Sequence, residues 1–189
     1  MMKRSLGILA SAVLLLFAVA SFADEYSDTI ALFKNAGQVN RFFDNSYGYA
    51  VFPTIGKGGL VVGGAYGTGR VYRQGAHVGD VKMTQVSVGL QAGGQAYSMM
   101  IFFEDERAFK EFISGSFAFG ADAGAVAITA AANATAGTTG TSAGASGGMK
   151  DAANRGNYYR GMAVFTIAKG GAMFEAAISG QKFKYTPKA

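Results

Sequence analysis

Between Tyr47 and Phe103 the chain is a succession of short β-rich phrases, each broken by glycine: YGYAVF, GLVVGGAYG, GRVYRQG, QVSVGLQAGG and QAYSMMIFF. β-Branched and aromatic side chains fit the pleated, half-buried surface of a strand. In QVSVGLQ the apolar residues Val86, Val88 and Leu90 alternate with Gln85, Ser87, Gly89 and Gln91, the period of a strand with one buried face. The phrases follow one another too closely for helical crossovers, so neighbouring strands are expected to pair antiparallel as a meander. Glycine inside a strand marks close backbone approach or strong curvature. Its abundance here predicts a curved or barrel-like sheet.

Residues 24–45 carry a helical pattern instead. Tyr26, Ile30 and Phe33 form one stripe, Leu32, Ala36, Val39 and Phe43 a second, and Gly37 is expected to bend or break the helix between them. Such a helix either packs its apolar face on the sheet or docks that face on lipid headgroups. A second helix is expected in EDERAFKEFISGS. Asp105 can cap it, acids crowd its first turn, Phe109, Phe112 and Ile113 make the buried face, and Gly115 ends it. FAFGADAGAVAITAAA reads as a further strand, and residues 133–148, NATAGTTGTSAGASGG, as a low-complexity, solvated loop. The closing stretch YYRGMAVFTIAKGGAMFEAAISGQKFKY returns to strand texture. The expected fold is α+β and β-rich: a curved or barrel-like, mainly antiparallel sheet with an N-terminal helix and one mid-chain helix. A single domain over residues 24–189 would contain it.

The residues before Asp24 are excluded from that domain. MMKR is a basic start, SLGILASAVLLLFAVASFA is an apolar run, and Ser21 and Ala23 stand at the −3 and −1 positions of a cleavage site. Residues 1–23 are therefore expected to be a cleaved signal peptide, with retention as an anchor as the alternative. The full chain carries a formal charge of +5, and without Lys3 and Arg4 the balance is 15 basic against 12 acidic residues. That modest excess permits contact with an anionic surface and does not argue for nucleic acid. The absence of cysteine removes a disulfide framework, a zinc–thiolate site, a thiol nucleophile and a lipid-modified cysteine. Export without cysteine suits the bacterial periplasm, with peripheral association at the membrane.

No catalytic constellation emerges. His77, the single histidine, reads as a turn or edge residue, because one histidine cannot build a metal cluster. No Ser–His–acid set can be assembled around it, and no catalytic, metal or cofactor residues are assigned. Asp122 reads as a capping or hydrogen-bonding acid. The phrase VFPTIGKGGLVVGG at 51–64 looks at first like a phosphate loop. However, GKGG lacks the Ser or Thr that a Walker loop needs for magnesium, and a strand rather than a helix follows it.

VFTIAKGGAMFEA, residues 164–176, echoes that phrase with one residue missing where Pro53 stands. Aligning the two places Lys57 on Lys169, each expected at the tip of a tight hairpin whose glycines take positive φ. Tips on one face would join Arg70, Arg73, Lys34 or Arg41 in a basic patch, each lysine near an anionic membrane contributing ~1 kcal/mol. Tips on opposite faces would serve solubility alone.

YGYAVFPTIGKGGLVVGGAYGTGRVY, then VGLQAGGQAYSMMIFFEDERAFKEF and FAFGADAGAVAIT, resemble the successive blocks of the SYLF domain family over residues 28–185. The resemblance implies a lipid-binding module without enzymatic activity. It implies that eukaryotic relatives bind phosphoinositides through basic residues and an N-terminal amphipathic helix, and that fungal ones also engage actin. Carried onto this chain, it points to the helix at 24–45 with Lys34 and Arg41, and to Lys57 in the glycine-rich block. An exported bacterial protein meets neither actin nor, normally, phosphoinositides, so lipid binding transfers and the identity of the lipid does not.

The expected function is non-enzymatic binding of an anionic phospholipid or membrane surface in the cell envelope. Lys34, Arg41, Lys57, Arg70, Arg73 and Lys169 are the expected contacts. A structural or assembly protein, acting as a homo-oligomer or with an envelope protein partner, is one alternative. A carrier of a small apolar ligand in a barrel-like cavity is the other.

Overall fold

Both periodicities read from the sequence are realised in the computed structural model, which describes residues 25–59, 62–88, 93–120, 126–128, 158–169, 178 and 180–189. The expected signal peptide, Asp122, the low-complexity loop at 133–148 and the residues directly after Gly59 and Lys169 lie outside the described residues. Helix α1 covers residues 25–35 and α2 Gly37–Asn45. Strands β1 (Gly48–Gly59), β2 (Val62–Arg73), β3 (Ala76–Val88) and β4 (Gly93–Phe103) follow, then α3 (Glu106–Phe112). Strands β5 (Phe117–Ala118), β6 (Val126–Ile128), β7 (Met162–Ala168) and β8 (Lys182–Pro187) complete the order.

The eight strands form one sheet in the order β5-β8-β3-β2-β1-β4-β7-β6. All pairs are antiparallel except β6 with β7. VGGAYG (62–67) and GRVYR (69–73), read as parts of two strands, belong to the one strand β2, and β3 starts well before QVSVGL. The two-residue turn between them is Gln74–Gly75, with φ of +50° and +81°, the geometry that matches strand twist in a hairpin. The FAFGADAGAVAITAAA stretch yields only the short strands β5 and β6 among its described residues.

The sheet is curled, and ring positions show by how much. Strand β8 lies three places from β1, which in a flat sheet would separate their side chains by about 14 Å. Yet the rings of Phe52 on β1 and Phe183 on β8 have centroids 5.7 Å apart. The concave side therefore closes on itself, and Phe52, Met83, Met99, Phe103, Phe183 and the α3 residues Phe109 and Phe112 fill it. Gly67 and Gly69 of β2 make the curl feasible. A Cβ on Gly67 would lie 2.6 Å from Ile55, and one on Gly69 would lie 2.7 Å from the Phe52 ring.

Helix α3 follows the sequence reading closely. The Asp105 carboxylate accepts from Ala108 N at 2.8 Å, and Phe109 and Phe112 are buried while Gly115 turns the chain at φ +114°.

On the convex side, α1 and α2 cover β1, β4 and β7 with Phe33, Ala36, Val39 and Phe42 against Val51, Met100, Phe102, Phe165 and Ile167. Both faces of β4 are thus buried, which explains the unbroken apolar run MMIFF. The buried helical stripe differs from the expected one. Ala36 N donates to Phe33 O and Val39 N to Ala36 O, bonds of three-residue span that keep residues 33, 36, 39 and 42 on one side. Leu32, expected in the stripe, is left 37 % exposed.

Pro53 sits inside a central strand, where a residue without N–H cannot complete the ladder. The chain accommodates it with a bulge: register slips between Val51 and Ile55 against β2, and between Phe52 and Ile55 against β4. Ser98 Oγ donates to the Pro53 carbonyl at 2.7 Å, satisfying the buried acceptor.

Burial raises Tyr49, Tyr97 and Tyr158 from 10.0 to about 12, in Tyr97 against a lowering hydrogen bond from Gln181. For a phenol a raised folded value favours the neutral form. Stability is complete below pH 10, where both states are protonated, and is lost as pH rises toward 12 because the unfolded chain ionises first. Circular dichroism should follow this loss together with tyrosinate absorbance. Ionisation of all tyrosines near pH 10 with the sheet signal intact would contradict the burial.

Candidate functional site

The cations singled out from the sequence divide between the two sides of the sheet. The bulge at Pro53 resets the alternation, so that Phe52 and Ile55 both face the concave side. Lys57 follows on that same side, opposite buried Ala65 on β2 and beside Gln95 on β4, and is half-buried. It is a mid-strand residue, not a hairpin tip, because β1 stays paired through Gly59, whose φ is +152°. Strand β7 has no bulge. Its Phe165 and Ile167 face the convex side, and so does Lys169. The two echoing phrases thus turn opposite faces inward, and their lysines emerge at one end of the sheet on opposite sides.

Lys169 is also engaged: its Nζ donates to Thr54 Oγ1 at 2.8 Å and lies 3.6 Å from the Glu25 carboxylate, tying the start of α1 to β1 and β7. Arg73 ends β2 on the concave side, where its charge acts on the Tyr185 phenol. The other three cations gather on the convex side. Lys34 Nζ is 5.2 Å from the Phe43 ring, the Arg41 guanidinium 5.0 Å from Phe42, and the Arg70 guanidinium 4.1 Å from Tyr26. Such cation–π contacts hold the charge in place.

Three lysines were not singled out from the sequence. Strands β2, β3 and β8 have one buried face, with Val71, Val81, Met83 and Phe183 turned to the concave side. On their convex face α1 reaches β2 at Arg70, beside Tyr26, while Val62, Tyr66, Thr68, Lys82, Thr84, Val86, Lys182 and Lys184 are exposed. Register places Lys82 directly opposite Lys184, Thr68 opposite Lys82, and Thr84 opposite both Tyr66 and Lys182. All three lysines are exposed, and among the described residues none has an ion-pair partner. The available signal was alternation, VKM in one place and KFKY in the other, which puts lysine outward wherever its neighbours are buried.

His77 is the second residue of β3, with Nε2 3.1 Å from both Gly79 O and Asp80 Oδ1, and with its ring beside Tyr72. It therefore acts locally in the hairpin. No helix among the described residues is long and apolar enough to cross a membrane.

A curled, mainly antiparallel sheet with helices against both faces defines a β-rich α+β domain. A family model described as "Ysc84: Las17-binding protein actin regulator" matches residues 84–187, and the chain belongs to this family, the SYLF domain family. SYLF domains are lipid-binding domains and are not known as enzymes. Beta cell expansion factor A of Aeromonas veronii is 29% identical over 167 residues, which are 88% of this chain and 55% of the relative. The chain therefore spans about half the length of that curated relative.

Proposed function

We propose that this chain is a non-enzymatic protein of the bacterial cell envelope that binds anionic phospholipid headgroups through basic residues of its convex side. The observation that carries the reading is that Lys34, Arg41 and Arg70 lie on and beside the α1–α2 pair, each over an aromatic ring. Ammonium and guanidinium groups form charge-assisted hydrogen bonds to phosphate oxygens. Membership of a lipid-binding family supports the same reading. Lys57 and Arg73, on the concave side, and Lys169, already paired with Glu25, contribute less to one flat contact. The apolar leader and the absence of cysteine support a periplasmic, peripherally membrane-associated protein. The packed aromatic filling of the concave side weighs against a carrier of a small apolar ligand.

Co-sedimentation with vesicles of phosphatidylcholine alone, or mixed with phosphatidylglycerol, tests the proposal. Recovery is expected on the mixed vesicles only, falling as salt rises because screening shortens to about 10 Å at 0.1 M. Equal recovery on both compositions, or none on either, would sink it.

A further inference from the structure

We infer that the apolar contact with the membrane is made by the exposed convex flank of β2, β3 and β8, beside the Lys34–Arg41–Arg70 group, and not by the apolar face of the amphipathic helix pair. This inference rests on the lipid-binding reading above and names the part of the molecule that makes the contact. The helix pair has already spent its apolar face: Phe33, Ala36, Val39 and Phe42 are buried against the sheet. To insert them, the protein would have to open its own convex core.

The flank is different. Val62, Tyr66 and Val86 are 64 %, 54 % and 78 % exposed, and they are three of the four large hydrophobic side chains left exposed among the described residues. Alternation puts all three on the same face, near the β2 and β3 ends that lie away from the Gln74–Gly75 turn. The lysines come next along the strands, Lys182 level with Tyr66 and Thr84, and Lys82 and Lys184 one step further on.

Apolar tips beside a row of lysines are the arrangement a headgroup layer selects. Valine and tyrosine side chains reach past the phosphates, while lysine stems lie along apolar surface and deliver their ammonium groups to phosphate level. The charge pattern favours this occupant. Like charges placed directly opposite one another weaken a strand pair, so the Lys82–Lys184 pairing does nothing for the sheet itself. An anionic surface removes that repulsion. A second copy of the chain seated on the same flank would add to it.

Two reporters separate the candidate surfaces, because the chain contains no tryptophan. Tyr66→Trp reports on the flank and Leu32→Trp on the exposed side of α1. With phosphatidylglycerol-containing vesicles, emission from the Tyr66→Trp variant should shift to the blue and be quenched by brominated lipid, while that from Leu32→Trp should not. In co-sedimentation, Lys82→Glu with Lys184→Glu should reduce recovery about tenfold or more. The neutral pair Lys82→Gln with Lys184→Gln should fall between that and the parent. Lys34→Glu with Arg41→Glu should cost less than either.

The opposite pattern, with the helix variants losing binding and the flank variants keeping it, overturns this inference and leaves the lipid-binding reading standing. Failure of the parent chain to bind anionic vesicles overturns both. A blue shift of the Tyr66→Trp variant that grows with protein concentration without vesicles assigns the flank to self-association and also overturns it.

Discussion

Replacing Phe102 with alanine is expected to destabilise the fold by about 3–5 kcal/mol. Phe102 is fully buried on β4 under the helix pair. Its ring lies 4.9 Å from Phe43, 5.5 Å from Phe42, 5.9 Å from Phe165 and 6.0 Å from Tyr49. Truncation leaves a cavity at the centre of the convex cluster, and rigid strands on either side of β4 limit how far the site can collapse. Phe103→Ala is the companion experiment. Its ring is on the opposite face, against Phe109 and Phe112. Urea unfolding should give losses of similar size for both variants. Limited proteolysis should cut near residues 25–45 earlier in Phe102→Ala alone, because only that variant loosens α1 and α2. A loss below about 1 kcal/mol for Phe102→Ala would mean that the helix pair does not depend on this cluster.

Gly69→Ala should have an effect of comparable size through the opposite mechanism, overpacking. The added Cβ would lie 2.7 Å from the Phe52 ring and 2.7 Å from the carbonyl oxygen of Val51. The ring could rotate, but the backbone oxygen belongs to the paired strand β1 and cannot move without disturbing the bulge at Pro53. A cost of about 3 kcal/mol, at the upper end for overpacking, is therefore expected. Gly56→Ala is the control. Nothing lies within 4 Å of its Cβ position, so its unfolding free energy in urea should stay within about 1 kcal/mol of the parent. Equal tolerance of the two substitutions would show that the curl does not require glycine at 69. A double variant with Phe52→Leu should recover part of the loss, since the two positions compete for one space.

The first of these variants also bears on the proposed function. Phe102→Ala frees the helix pair without touching the lysines of the β2–β3–β8 flank. If that flank makes the membrane contact, the variant should still bind anionic vesicles under conditions where it remains folded.

Much of this architecture was legible in local patterns. Asp105 with its following apolar positions announced α3, because a cap and a helical period are properties of a few consecutive residues. The N-terminal helix, its break near Gly37 and the antiparallel, curved sheet were legible for the same reason. The buried stripe of α1–α2 was less so. Two three-residue hydrogen bonds around Ala36 changed its phase, and no residue type in that stretch demands them.

The sequence by itself determined the class of fold, the positions of most strands, the glycines that permit the curl and the family to which the chain belongs. Tertiary structure decided which side each cation occupies. The side of a strand residue depends on parity counted from its pairing. Phe52 of the first phrase faces the concave side and its counterpart Phe165 the convex side. The bulge at Pro53 absorbs the one extra residue, so that each lysine keeps the side of its phenylalanine. Lys57 and Lys169, alike in sequence, therefore face apart. The meeting of Lys82 with Lys184 is of the same kind. It exists only because β8, from the far end of the chain, returns to pair with β3, and pairing across such distance leaves no mark on neighbouring residues.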